Sequence, residues 1–231
     1  MRQVFLDTET TGLSPESGDR IIEIGCVELL HRKLTGSHWH FYLNPERDSH
    51  PDAQRVHGIS NEFLRDKPLF GAVVDELLGY LAGAEIIMHN APFDVGFLNR
   101  ELELIGRPGL AQFVGNITDT LAMAKELYPG KRNSLDALCD RLGVDRSGRT
   151  LHGALLDAEL LADVYINMTR GQEALLIDSG DGSEDAGAVA LVDFSALELP
   201  ILQANEQELA AHAQVLHELD QASGGKTLWP A

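Results

Sequence analysis

The chain has 231 residues, a hydrophobic share of 44% and a formal net charge of −18, enough for one domain with an appendage or for two small domains. It contains no run of 18 apolar residues, which excludes a membrane-spanning helix, and Met1-Arg2-Gln3-Val4 leads straight into an apolar run without a signal-peptide pattern. Acidity of this size excludes a free-standing nucleic-acid binder of the usual basic kind, so either the partner is not nucleic acid or something else brings the two together. The charge is uneven: residues 1–170 hold 25 acids against 17 Lys/Arg, and residues 171–231 hold 11 acids and only Lys226. That asymmetry marks a boundary near Gly171. Cys26 and Cys139 fall in an apolar strand and an apolar helix and read as reduced core thiols, as in a cytoplasmic protein.

Val4 to Glu9 reads as a strand that runs into two acids, Asp7 and Glu9. Positions i and i+2 of a strand share a face, so both carboxylates aim at one point. Two such charges repel unless one is protonated or a cation joins them, and hard oxygen donors suit Mg²⁺ or Mn²⁺. Ile21–Leu29 reads as a second strand, with Glu23 and Glu28 solvated or at an edge. His38–Leu43 reads as a third, ended by Asn44-Pro45, with His38 and His40 at surface positions. Short turns between the three imply an antiparallel meander.

Pro51 to Ser60 reads as a loop holding Asp52 and His57. Leu69–Leu81 has helical spacing and ends at Gly83. Glu85–Met88 is a short buried strand leading to Asn90-Ala91-Pro92-Phe93-Asp94. Asp94 stands at the start of a helix expected over Val95–Ile105, where the bland role for it is an N-cap. Ile117–Thr120 reads as a strand entering a helix capped by Asp119, and Asn133-Ser134 caps a helix closed by Gly143. His152-Gly153-Ala154-Leu155-Leu156-Asp157 opens a helix running to about Thr169. Five residues on a helix turn about 500°, so His152 and Asp157 share a pocket only if His152 sits in the loop before the helix, a bend Gly153 permits. Three strands in a row followed by alternating strands and helices imply an α/β mixed sheet flanked by helices.

Beyond Gly171 the composition changes. Asp178–Asp185 is an acidic linker, Val189–Leu202 is apolar, and Glu206–Ala222 has a helical pattern ended by Gly224-Gly225, with Leu228 and Trp229 close behind. A segment of about 40 residues is too small for a core of its own. A tether that folds onto a partner protein is the simplest account, and packing back on residues 1–170 is the alternative.

Asp7-Thr8-Glu9, Asn90-Ala91-Pro92-Phe93-Asp94 and His152-Gly153-Ala154-Leu155-Leu156-Asp157 resemble, in order and spacing, the three motifs of the DEDDh exonuclease family. The resemblance covers roughly residues 1–170 and implies a ribonuclease-H-like fold, removal of nucleotides from 3′ ends, and two divalent cations, Mg²⁺ or Mn²⁺. The branch of that family that proofreads for bacterial DNA polymerase III is closer still: Asp7–Leu13, Arg32–Gly36 and Val56-His57-Gly58-Ile59 all resemble it. By that likeness Asp7, Glu9 and Asp157 hold the first metal, Asp7 bridges to a second supported by Asp94, and His152 is the general base. Asp7, Glu9, Asp52, His57 and Asp157 also contact the substrate. Gln172–Ile177 sits where those subunits bind the sliding clamp, although it departs from the usual consensus, and Gly224–Trp229 resembles the end of their polymerase-binding tail. The implied organisation is an exonuclease domain over 1–170, a clamp-binding segment and acidic linker over 171–188, and a tail over 189–231 that binds the polymerase catalytic (alpha) subunit; a small accessory subunit is a further possible partner. The motifs alone leave open an RNA-trimming exonuclease and a non-catalytic structural subunit.

Overall fold

A computed structural model describes residues 2–148, 151–170 and 204–224. The chain falls into two compact units. The expected clamp segment Gln172–Ile177, the acidic linker, the stretch Val189–Leu202 and the terminal Lys226–Trp229 lie outside the described residues.

The first unit is built on a five-stranded sheet: β1 Arg2–Thr10, β2 Ile21–Leu30, β3 Lys33–Tyr42, β4 Glu85–Met88 and β5 Asn116–Asp119. Its order is β3-β2-β1-β4-β5. The first three strands form the expected antiparallel meander, and β1–β4 and β4–β5 pair in parallel, so the sheet is mixed. Helices α1 Pro51–His57, α2 Asn61–Leu64, α3 Phe70–Leu81, α4 Ala91–Leu104, α5 Thr120–Leu127, α6 Leu135–Leu142 and α7 Ala154–Met168 complete it.

Strand alternation sorts β1 between two cores. Val4 and Leu6 join Ile24, Cys26, Ile86 and Met88 in a cluster with α3 and α4. Phe5 turns the other way and meets Val27, Leu29, Ile87 and the α7 residues Ala158, Leu161 and Ala162. Full burial of a side chain such as Phe5 contributes about 2 kcal/mol. Helices thus cover both faces, and the odd-numbered end of β1 points its polar residues to the α7 side. On the other face, α4 is tied to the start of β2 by a bidentate pair: Arg20 Nε and Nη2 donate to Glu101 at 2.7 and 2.8 Å, and the Ile21 N–H joins them at 3.2 Å.

Several expectations need correction. The stretch expected as a loop after Pro51 is a helix, α1, begun by Pro51 itself and closed by Gly58 at φ +71°; proline at the first helical position and a left-handed glycine past the end favour that. Helix α4 starts at Ala91, four residues early, because Pro92 suits a first turn. Asp94 therefore lies inside that turn rather than capping it, and Asn90, left-handed at φ 69°, precedes the helix. Glu23 is neither solvated nor at an edge. β2 lies between β3 and β1, and Glu23 is buried with Oε1 2.7 Å from His40 Nε2. His40 is thus a partnered strand residue, whereas His38 is exposed as expected. Glu28 pairs with Arg2. Both cysteines are buried, and burial pushes the Cys26 thiol up.

The second unit's described part is one helix, α8 Glu206–Ser223, closely as the pattern predicts. A capping box opens it: Asn205 Oδ1 accepts from the Gln207 and Glu208 N–H groups, and Glu208 reaches back to the Asn205 N–H. Gly224 closes it at φ +65°. None of its residues is buried, and Leu209, Val215 and Leu219 are exposed. No described helix is long and apolar enough to cross a membrane.

Candidate active site

Asp7 and Glu9 leave β1 on the α7 side, opposite Gly25 and Glu23 of β2. Gly25 decides what can approach them. A Cβ there would stand 2.2 Å from Leu155 N and 2.3 Å from the Ala154 carbonyl carbon, so the first turn of α7 rests directly on bare strand backbone. Two residues further on, Asp157 is buried against the sheet. Ligand atoms of Glu9, His152 and Asp157 lie within 4.8 Å of one another.

His152 stands in the loop before α7, as the spacing requires. Its backbone N–H donates to Val56 O at 3.2 Å, and Leu151 closes on Gly58, where an added Cβ would meet Leu151 Cδ1 at 2.4 Å. The end of α1 therefore holds the histidine loop in place. His152 Nδ1 is 3.2 Å from Asp157 Oδ2. With Nδ1–H given to the carboxylate, Nε2 keeps its lone pair, and a side chain 45% exposed can exchange a proton with solvent.

Asp94 reaches the same strand end from the other face. Its Oδ1 accepts from the Thr8 hydroxyl at 2.7 Å, so it contacts the residue between Asp7 and Glu9. Both it and Asp7 stand outside the group of three formed by Glu9, His152 and Asp157. Burial is the main reason the Asp94 carboxyl is pushed up to about 7, the Thr8 hydrogen bond opposing the rise. A buried carboxylate this costly to ionise, bonded to the residue between Asp7 and Glu9, fits a site that receives positive charge.

The remaining expected site residues sit on α1. Asp52 is exposed and pairs with Arg55; it lines a cavity of about 680 Å³ together with Gly12, Leu13, His50 and Val56. His57 is buried rather than a surface loop residue. Its Nδ1 accepts from the Ile59 N–H at 3.0 Å, so the proton of the neutral ring resides on Nε2. Nε2 is buried without a hydrogen-bond partner among the described residues, and burial holds the ring's pKa down.

Three contributors escape a reading of the acids alone. Thr8 anchors Asp94, Gly25 admits α7, and Glu23 sits opposite Glu9 holding His40. A signal existed for one of them: glycine inside an apolar strand marks a close backbone approach.

A family model described as exonuclease matches residues 4–165. The solved structure of Exonuclease X in complex with 5′ overhanging duplex DNA superposes with a TM-score of 0.59 at 25% identity, covering 74% of this chain and 93% of that one. The fold and the gathered acids thus define a ribonuclease-H-like exonuclease domain. DNA polymerase III subunit epsilon of Pasteurella multocida (strain Pm70) is 50% identical over 99% of this chain and 93% of its own length. The Escherichia coli (strain K12) protein of the same name is 47% identical over 100% of this chain and 98% of its own. The chain belongs to the family of DNA polymerase III epsilon subunits.

Proposed function

We infer that this chain is the 3′→5′ proofreading exonuclease subunit of DNA polymerase III, hydrolysing the last phosphodiester of a frayed or mismatched DNA 3′ end. The observation that carries the reading is the meeting of Glu9, His152 and Asp157 within 4.8 Å at the end of β1. Crowded carboxylates with an adjoining imidazole serve no purpose in a purely structural subunit, and relatives named for a DNA polymerase favour DNA over RNA.

Asp7, Glu9 and Asp157 would hold one divalent cation, Asp7 would serve a second as well, and Asp94 would support it; Mg²⁺ and Mn²⁺ both suit an all-oxygen set. When bound, such a pair supplies positive charge to the entering and leaving oxygens of an in-line displacement. Asp157 fixes the His152 ring through Nδ1, and Nε2 accepts the proton of the attacking water. The water oxygen bonds to phosphorus, the 3′ oxygen of the penultimate nucleotide leaves, and a nucleoside 5′-monophosphate is released. The His57 Nε2–H, a buried donor in want of an acceptor, and Asp52 at the cavity rim contact the terminal nucleotide.

The site takes an unpaired end. A mismatched terminus costs less to unpair than a correct one, so selectivity follows from primer melting without recognition of the wrong base. A chain of net charge −18 gains its DNA through neighbours. The tail over 189–231, including α8, binds the polymerase alpha subunit and Gln172–Ile177 binds the sliding clamp, raising local concentration.

Digestion of a 3′-mismatched and a matched primer with Mg²⁺, beside an RNA oligonucleotide, tests the reading. Faster release from the mismatch and slow release from RNA are expected; absence of metal-dependent release from either DNA overturns it. Deleting residues 178–231 should leave cleavage of short single strands intact and abolish co-purification with the polymerase, and retained co-purification refutes the tether.

A further inference from the structure

We propose that Asp19 is a positioning residue that clips together the two loops walling the nucleotide cavity, and so sets substrate affinity. This rests on the reading that the cavity beside β1 receives the terminal nucleotide.

Asp19 is 4% exposed and is not among the residues that group around Glu9. Its carboxylate is fully engaged. Oδ1 accepts from the Thr11 hydroxyl at 3.2 Å and faces Arg47 Nη1 and His50 Nε2, each at 3.2 Å; Oδ2 accepts from the Ser14 N–H at 3.1 Å. Thr11 and Ser14 belong to the loop that follows β1. Arg47 and His50 belong to the segment that enters α1, and His50 is the residue immediately before that helix. One buried carboxylate, itself part of the cavity wall, therefore joins the two chain segments whose residues Leu13, Ser14, His50 and Asp52 wall the cavity.

The closeness of the join is visible at Gly12. A Cβ there would lie 2.3 Å from Asp19 Oδ2 and 2.5 Å from His50 Cδ2, so only glycine lets the first loop close over the clip. The His50 N–H also donates to Thr11 O at 2.8 Å, a second tie between the same segments. A carboxylate accepting from a hydroxyl and an amide, with a guanidinium and an imidazole facing it, is a strong, directional anchor. It bears on where α1 begins, and hence on where Asp52 and the buried His57 stand relative to Glu9. Its partners are Thr11, Ser14, Arg47 and His50 rather than His152 or Asp157, so its loss falls first on the cavity wall and reaches the His152 loop only through the length of α1.

The test is steady-state cleavage of a single-stranded DNA oligonucleotide by the full chain carrying Asp19→Ala, with thermal unfolding to verify the fold. Loss of a loop anchor that acts on binding alone raises KM by about tenfold with kcat within about twofold. Arg47→Gln removes one contact from the more exposed side and is expected to raise KM by about threefold. It decides the matter should Asp19→Ala fail to fold. An unchanged KM in a folded variant, or a fall in kcat at constant KM, overturns the proposal. Cleavage by the unaltered chain is the internal control: its absence faults the nuclease reading, whereas normal cleavage with an indifferent Asp19→Ala faults only the clip.

Discussion

The domain over residues 2–170 and helix α8 are stabilised by different means. In the domain, β1 alone places Val4, Phe5 and Leu6 out of solvent, and two apolar clusters close on opposite faces of one sheet. Helix α8 buries nothing; capping, a first turn carrying Glu206 and Glu208, and backbone hydrogen bonds are its support. Such terms hold an isolated helix of 18 residues only marginally. The difference teaches where each activity resides. Chemistry that needs carboxylates held to within an ångström calls for the part with a core, and α8 leaves Leu209, Val215 and Leu219 exposed.

The largest effect that would sharpen this contrast is Asp7→Ala. It should lower metal-dependent cleavage about a thousandfold, the scale of losing a preorganised electrostatic element, while thermal unfolding and polymerase co-purification stay unchanged. Retained activity would break the assignment of chemistry to β1. Next is Gly25→Ala, which forces a methyl into the α7 backbone. Destabilisation of about 3 kcal/mol or more is expected by denaturant unfolding, with loss of cleavage as Asp157 is pushed off the sheet. A neutral result would show that α7 is seated by its apolar face alone.

A smaller effect is set by pH. The folded, metal-free protein holds Asp94 up to about 7, above its unfolded value near 4. The folded state therefore binds the extra proton between those values. Asp94's contribution makes stability fall as pH rises through that window, and its full cost is present above pH 7. Asp94→Asn should flatten that slope in melting curves taken without metal and raise stability at pH 8, while abolishing cleavage. Added Mg²⁺ should stabilise the unaltered protein more at pH 8 than at pH 5. The smallest effect belongs to Leu209→Asp in α8: domain stability should move by less than about 0.5 kcal/mol while polymerase co-purification weakens. A clear loss of domain stability would break the contrast.

Much of this was legible before any coordinates. The i, i+2 spacing of Asp7 and Glu9 put both on one face, and the five-residue gap from His152 to Asp157 required a loop-then-helix arrangement, which is found. What escaped was whatever depended on a neighbour. α1 is polar and only seven residues long, too short for apolar periodicity to appear, so only its proline and glycine announced it. Glu23 looked solvated because a strand read alone does not reveal that β3 and His40 will cover it. Asp94 resembled a cap because Asp often is one. Its burial against Thr8 follows from the parallel pairing of β1 with β4, a contact between residues far apart in the chain.

The alternation along β1 also constrains how this chain can change over generations. Leu6 and Thr8 face the α3 and α4 layer, and Asp7 and Glu9 face α7. A single-codon insertion just ahead of Asp7 would turn Asp7 and Glu9 to the α3 and α4 side and Thr8 to the α7 side, burying charges in hydrocarbon and placing a hydroxyl where the acids stood. Lineages should therefore keep the strand up to Glu9 at a constant count.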